Sequence, residues 1–193
     1  VVFAGDIANE SCASYGRWDT SYAPLRDRWT VISASGNHDN VECFTQRFGS
    51  LPRKMAVNNV DFFVLPWSGG RISGTVLYWL DHETDASIAR WKVLVVHKPI
   101  WNVSAEEGRV YGPTSGLLPI LERIDLVLAG HNHIFWDSTH DVNGHSVRQI
   151  IEVASSKFYE CVPEATGCVA HERGFSRIEF GPDEIQMERH VVN

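Results

Sequence analysis

Four short apolar runs in this chain each end on residues that can bind a metal, and that repetition limits the fold more than any other feature. Val1 to Ala4 leads to Gly5-Asp6, and Trp29 to Ala34 leads to Gly36-Asn37-His38-Asp39. Val93-Leu94-Val95-Val96 leads to His97, and Leu126-Val127-Leu128-Ala129 leads to Gly130-His131-Asn132-His133. Apolar runs of this length, bounded by Gly or Pro, read as buried strands of a layered α/β domain. The ends of such strands are where functional groups are displayed. Four ends carrying Asp, Asn or His therefore predict a metal site.

Between these runs the pattern alternates. Asn9 to Thr20 reads as loop, Ala23 to Arg28 as a short helix, and Val41 to Phe48 as a helix capped by Asp39 or Asn40. Asp61 to Leu65 reads as a strand stopped by Pro66. Gly74 to Glu83 is predicted helical because Val76, Leu77 and Leu80 share one face. Ala105 to Pro113 reads as loop and Ser115 to Arg123 as a helix interrupted by Pro119. After His133 the texture changes to strands alone: Ile134–Ser138, Ser146–Val153, Gly174–Phe180 and Ile185–Arg189. With no linker and no repeat, the 193 residues predict one domain, an α/β sandwich with helices outside.

Composition excludes some functions. The formal charge is −7 and no dense Lys/Arg cluster appears, which disfavours a binder of long nucleic acid. No apolar run reaches a membrane span and no signal peptide is present in the chain as given, so the expectation leans to the cytoplasm. The four cysteines leave room for one or two disulfides, with Cys161 and Cys168 the nearest pair across a loop; Cys12 and Cys43 each follow a motif segment. Asn9-Glu10-Ser11 and Asn102-Val103-Ser104 match the acceptor pattern for N-glycosylation.

The strand-end residues have distinct capacities. Asp6 either caps its turn or bridges two cations through its two oxygens. Asn37 either stabilises a tight turn or offers an amide oxygen that coordinates without adding charge. His97, His131 and His133 offer imidazole nitrogens, and on an extended backbone His131 and His133 would point to one side. His38 differs in kind. With Asp39 accepting from one ring nitrogen, the other could face a cleft and protonate a leaving oxygen. The competing readings are His38 as a further metal ligand and Asp39 as a helix cap. Arg17, Lys98 and Arg109 are candidates for binding phosphate, and Trp67 and Trp101 for walling the cleft.

In this order the blocks resemble the calcineurin-like metallophosphoesterases, whose pattern is Asp-x-His, Gly-Asp, Gly-Asn-His-Asp/Glu, a His after a strand, and Gly-His-x-His. Four of the five blocks stand here. The resemblance implies a four-layer α/β sandwich of two mixed β-sheets flanked by helices. It implies two divalent or mixed-valence ions (manganese, iron, zinc or cobalt), with Asp6 bridging, Asn37, His97 and His131 on one metal, and His133 on the other. It also implies hydrolysis of a small phosphoester by a hydroxide bridging the ions, with His38 assisting the leaving group. The Asp-x-His block does not precede Asp6 in the chain as given. The expectation is that a first strand lies N-terminal to it. The alternatives are one well-held and one weak ion, or a non-catalytic metal-binding relative.

Overall fold

Side chains alternate along the apolar strands, and that alternation builds two cores on the two faces of one sheet. The computed structural model describes residues 1–67, 69, 71–107, 112–153 and 157–192. Its strands are β1 (Val2–Ala4), β2 (Ile32–Ala34), β3 (Arg53–Val57), β4 (Val60–Val64), β5 (Trp91–Val95), β6 (Leu126–Ala129), β7 (Phe135–Val142), β8 (His145–Ile151), β9 (Cys168–Val169), β10 (Arg173–Phe180) and β11 (Ile185–Val192). The helices are α1 (Cys12–Arg26), α2 (Val41–Phe48), α3 (Gly74–Asp85) and α4 (Leu118–Leu121). Seven strands form a mixed sheet in the order β3-β4-β5-β6-β8-β7-β9, with β4, β5, β6 and β8 parallel.

On one face of this sheet Phe63, Leu94, Val127 and Ile151 pack against Leu80 of α3 and Ile120 and Leu121 of α4. On the other face Phe62, Val93, Val95 and Leu126 meet Ile32 and Ala34 of β2, together with Ile178, Phe180 and Met187 of the β10–β11 hairpin. The parallel pair β1–β2 and the antiparallel pair β10–β11 thus form the second sheet layer, as two separate pairs. Beyond it lie α1 and α2. Phe3 of β1 meets Trp18 and Tyr22 of α1 with ring centroids 5.7 and 5.2 Å apart, and Tyr15 and Phe44 pack together in a third cluster. The order helix, sheet, sheet, helix is the predicted four-layer sandwich.

The segment read as loop from Asn9 to Thr20 is instead most of α1. Its polar sequence hides a stripe of Tyr15, Trp18 and Tyr22 at helical spacing, and only the first two are fully buried. Pro24 lies within the last turn of α1, where it withholds the bond its nitrogen would otherwise give to the Thr20 carbonyl. The cap of α2 is Asn40, whose side chain accepts from the Cys43 N–H at 3.1 Å, and not Asp39. Strand β3 escaped the apolar pattern because Arg53 and Lys54 open it. It pairs with β4 through the tight Asn58-Asn59 turn, with Asn58 in the left-handed region. Both cysteine pairs are bonded, Cys12 to Cys43 and Cys161 to Cys168, so α1 is tied covalently to α2. No helix among the described residues is long and apolar enough to cross a membrane.

Candidate metal centre

Each candidate ligand sits just past a strand buried in the two cores, so the core itself positions the site. Asp6 follows β1 on a Gly5-Asp6 corner with both residues at positive φ, 91° and 53°. Gly5 has no alternative there, since a Cβ would overlap the His97 ring. Gly36, after β2, is needed equally, because a Cβ would overlap the Asp6 carboxylate and backbone nitrogen. The two corners therefore approach more closely than side chains would permit. The Asp6 Oδ1 accepts from the His38 backbone N–H at 2.9 Å and holds the corners together.

His97, after β5, is buried. Its Nδ1 lies 2.7 Å from the carbonyl oxygen of Ala4. A carbonyl only accepts, so Nδ1 carries the hydrogen and, in the neutral ring, Nε2 is left with a lone pair. His131, after β6, has Nε2 2.9 Å from Glu107 Oε1, which by the same logic leaves its Nδ1 with a lone pair. These two lone pairs converge with two oxygens. His97 Nε2 is 3.0 Å from Asn37 Oδ1 and 3.2 Å from Asp6 Oδ2. His131 Nδ1 is 3.0 Å from Asn37 Oδ1 and 3.1 Å from His97 Nε2.

With both rings neutral, four acceptor atoms lie at hydrogen-bond distances with no donor hydrogen among them. A proton on one ring nitrogen answers only part of this set, whereas a divalent cation answers all of it. The spacing fits such an ion: ligand bonds of about 2.0–2.2 Å separate neighbouring ligands by about 2.8–3.1 Å at octahedral angles and about 3.3–3.6 Å at tetrahedral ones. Asp6, His97 and His131 also have ligand atoms all within 4.8 Å of one another. The residues present therefore fit a metal. The mixture of carboxylate, amide and imidazole suits manganese, iron, zinc or cobalt.

The electrostatics agree. Burial acts to raise the Asp6 pKa, but in the ion-free cluster the hydrogen bond and charge of a protonated His97, with help from His38, outweigh it and hold the carboxyl below its ordinary range; a cation would take the place of that proton. Burial, then the neighbouring His97, lowers the His131 pKa against the pull of Glu107. Burial also lowers that of His133. Anionic carboxylate and neutral imidazole are the forms that bind metal.

The remaining predicted residues divide. His133 and His38 line the same cleft, of about 280 Å³, with Asp6, Asn37, His131, Lys157 and Tyr159. His133 stands outside the four-atom cluster, its Nδ1 donating to the Lys157 carbonyl at 3.1 Å. His131 and His133 are not on extended backbone as expected. Both adopt positive φ, 66° and 49°, around the buried Asn132, which donates to Asn102 Oδ1.

Asp39 is a correction. It does not face the His38 ring. Its Oδ1 accepts from Ala8 N at 3.0 Å and Tyr15 Oη at 2.8 Å, and its Oδ2 from Gly36 N at 2.8 Å. The carboxylate near the His38 ring is Glu10, at 3.7 Å. Lys98 is bound to Glu107 at 2.5 Å, where a substrate phosphate had been the expectation. Trp101 stacks on His140 and is not a cleft wall, whereas Trp67 stands 5.6 Å from both His97 and His131. Arg17 is exposed on α1, away from the cleft-lining residues, and Arg109 lies outside the described residues. Glu107 was missed because it sits in a stretch without periodicity. The buried Asn102 leaves its glycosylation sequon no room for a glycan, while Asn9 is exposed at the cleft.

A helix–sheet–sheet–helix sandwich with a carboxylate, an amide and two imidazoles gathered at its strand ends defines a class of metal-binding α/β domain. The chain matches the family model described as calcineurin-like phosphoesterase over residues 1–135, and it belongs to that family, whose chemistry is metal-dependent phosphoester hydrolysis. A solved structure described as "Structure of PhoD" is similar in fold, with a TM-score of 0.60 and 14% identity, over 86% of this chain and 50% of its own. The chain thus spans half the length of that relative. No curated protein sequence matches it.

Proposed function

We propose that this domain hydrolyses a small phosphoester at a metal centre in which Asp6, Asn37, His97 and His131 hold one divalent ion and Asp6 and His133 face a second position. The observation that carries the reading is the convergence of two oxygens, one carboxylate and one amide, with the two imidazole nitrogens that carry lone pairs when the rings are neutral. The metal, when bound, supplies Lewis acidity towards water and phosphoryl oxygens. The chain's own residues do the rest. His97 and His131 keep their outward N–H groups bonded to Ala4 and Glu107, so neither ring turns away from the centre. The side chain of His38, 48% exposed at the cleft, donates a proton to the departing oxygen, with Glu10 and not Asp39 as its nearby carboxylate.

The two disulfides support an oxidising compartment, against the cytoplasmic lean of the sequence. A second reading, a metal-binding protein without turnover, is favoured by one feature: among the described residues the second position has only Asp6 and His133. The test is metal content together with hydrolysis of an aryl and an alkyl phosphoester. The expected result is at least one tightly held ion, lost in His97→Ala. In His38→Ala the alkyl ester should lose about 10²-fold or more, and the aryl ester, whose leaving group needs no acid, much less. Tight metal with no turnover of either ester would favour the second reading, and no metal at all would overturn both.

A further inference from the structure

We propose that Glu107 is a positioning residue for the metal centre, fixing the His131 ring so that Nδ1 faces Asn37, His97 and Asp6. The inference rests on the metal-centre reading above. Two histidines meet in the cluster, and they are held by different means. His97 is buried and its Nδ1–H is tied to the main chain of β1, so its orientation is part of the fold. His131 sits on a left-handed corner past the end of β6, and among the described residues its ring meets side chains and not a backbone carbonyl. The group at its outer nitrogen is the Glu107 carboxylate, at 2.9 Å.

A carboxylate accepts and an imidazole has two chemically different nitrogens, so this single bond settles both the tautomer and the ring angle. The carboxylate is itself held on its other oxygen by Lys98 Nζ at 2.5 Å. Lys98 is the residue immediately after His97, so both histidines are tied through one strand end. The chain His131, Glu107, Lys98 thus runs from the metal cluster back to β5. Both carboxylate oxygens are engaged, and Lys98 beside the site offsets the negative charge brought near it. An anion hydrogen-bonded to a ligating imidazole also raises the basicity of the ligand.

Removing the carboxylate leaves His131 free to turn while the other three ligands stay in place. The effect should therefore fall on affinity rather than on folding. Glu106 provides the control. It lies in the same turn, but its carboxylate accepts from Glu160 N at 2.9 Å and Ser104 Oγ at 3.0 Å, facing away from the cluster.

The experiment measures Zn²⁺ dissociation constants by competition with a chromophoric chelator, and visible Co²⁺ spectra, for the full chain and its Glu107→Ala, Glu107→Gln and Glu106→Ala variants. Glu107→Ala should bind Zn²⁺ about 10–100-fold more weakly and show an altered Co²⁺ spectrum. Glu107→Gln, which keeps an acceptor for the His131 N–H, should lie nearer to the wild type, and Glu106→Ala should match it. Zn²⁺ binding by Glu107→Ala within about 2-fold of the wild type would overturn the inference and leave the metal reading standing. Equal weakening in Glu106→Ala would also overturn it, by showing a general effect of the turn. A wild-type chain that binds neither ion would overturn the metal reading, and the inference with it.

Discussion

Asp39 looks like a catalytic residue in the sequence and like a structural one in the fold, and its replacement separates the two. The residue is 8% exposed, and its carboxylate accepts three hydrogen bonds from three segments: Ala8 N in the loop after β1, Tyr15 Oη on α1, and Gly36 N just past β2. Burial and the neighbouring Asp39 push the Tyr15 phenol above its ordinary pKa, so it remains a donor at neutral pH. Asp39→Ala leaves all three donors buried without an acceptor. Each costs about 1–3 kcal/mol. Water entering the vacated space recovers part of that, so the expected loss is about 3–5 kcal/mol, a large share of the 5–15 kcal/mol typical of a folded domain. For a chain of this size 3 kcal/mol lowers the melting temperature by about 6–12 °C. Asp39→Asn keeps the shape and one accepting oxygen but turns its amide N–H₂ towards one donor, at a cost of about 1–3 kcal/mol. The assay is thermal and urea unfolding with disulfides oxidised, alongside turnover of alkyl and aryl phosphoesters. The double variant Asp39→Ala/Tyr15→Phe should lose less than the sum of the single losses, because Tyr15→Phe removes one stranded donor. An Asp39→Ala chain melting within about 2 °C of the wild type, yet failing selectively on the alkyl ester, would refute this and restore the pairing of Asp39 with His38.

Two further outcomes follow from the same contacts. The Cys12–Cys43 bond closes 31 residues and the Cys161–Cys168 bond only 7. Loop-closure entropy then assigns them about 3.5 and about 2.5 kcal/mol, so paired Cys→Ser variants compared by urea unfolding should rank in that order, and the reverse order would count against an entropic origin. Burial holds His140, stacked on Trp101, below its ordinary pKa of 6.5. The unfolded chain therefore takes up that proton first as pH falls, and stability declines from about 6.5 down to the folded value and then levels. His140→Gln should flatten that part of the profile in unfolding experiments between about pH 7 and 5.5, and an unchanged slope would refute the assignment.

The sequence displays the central strands plainly because they are buried on both faces and so carry unbroken apolar runs, as at Val93–Val96 and Leu126–Ala129. It conceals α1 because that helix buries a narrow aromatic stripe and ties itself down through Cys12, leaving its remaining residues free to be polar. The candidate ligands were legible for a related reason. Polar side chains that terminate apolar runs are conspicuous, and Asp6, Asn37, His97 and His131 all stand at such ends. What surrounds them was not legible. Glu107 meets His131 across a sequence gap of 24 residues and Lys98 across one of 9, and no local pattern announces such contacts. The same limit explains Asp39: adjacency to His38 suggested a pair, but at the Gly36 corner the carboxylate turns inward to the backbone.

Backbone conformation supplies the last link between this fold and its chemistry. Asp6, His131 and His133 all hold positive φ, a region that costs a non-glycine residue of order 1–3 kcal/mol. Such conformations persist only where the surroundings fix them. Here the fixing contacts are visible: Asp6 is clasped by the His38 N–H, and the His131–His133 corner is pinned by the buried Asn132. The strands beneath are anchored in two separate cores, so the four ligand atoms are gathered by the folding of the domain before any ion arrives. A preformed site of this kind does not charge metal binding with the ordering of its loops. On the two-ion reading proposed above, the positions are unequal: the first would use the four atoms already gathered, and the second would have Asp6 and His133 among the described residues. On that reading occupation should be sequential, the cluster filling first.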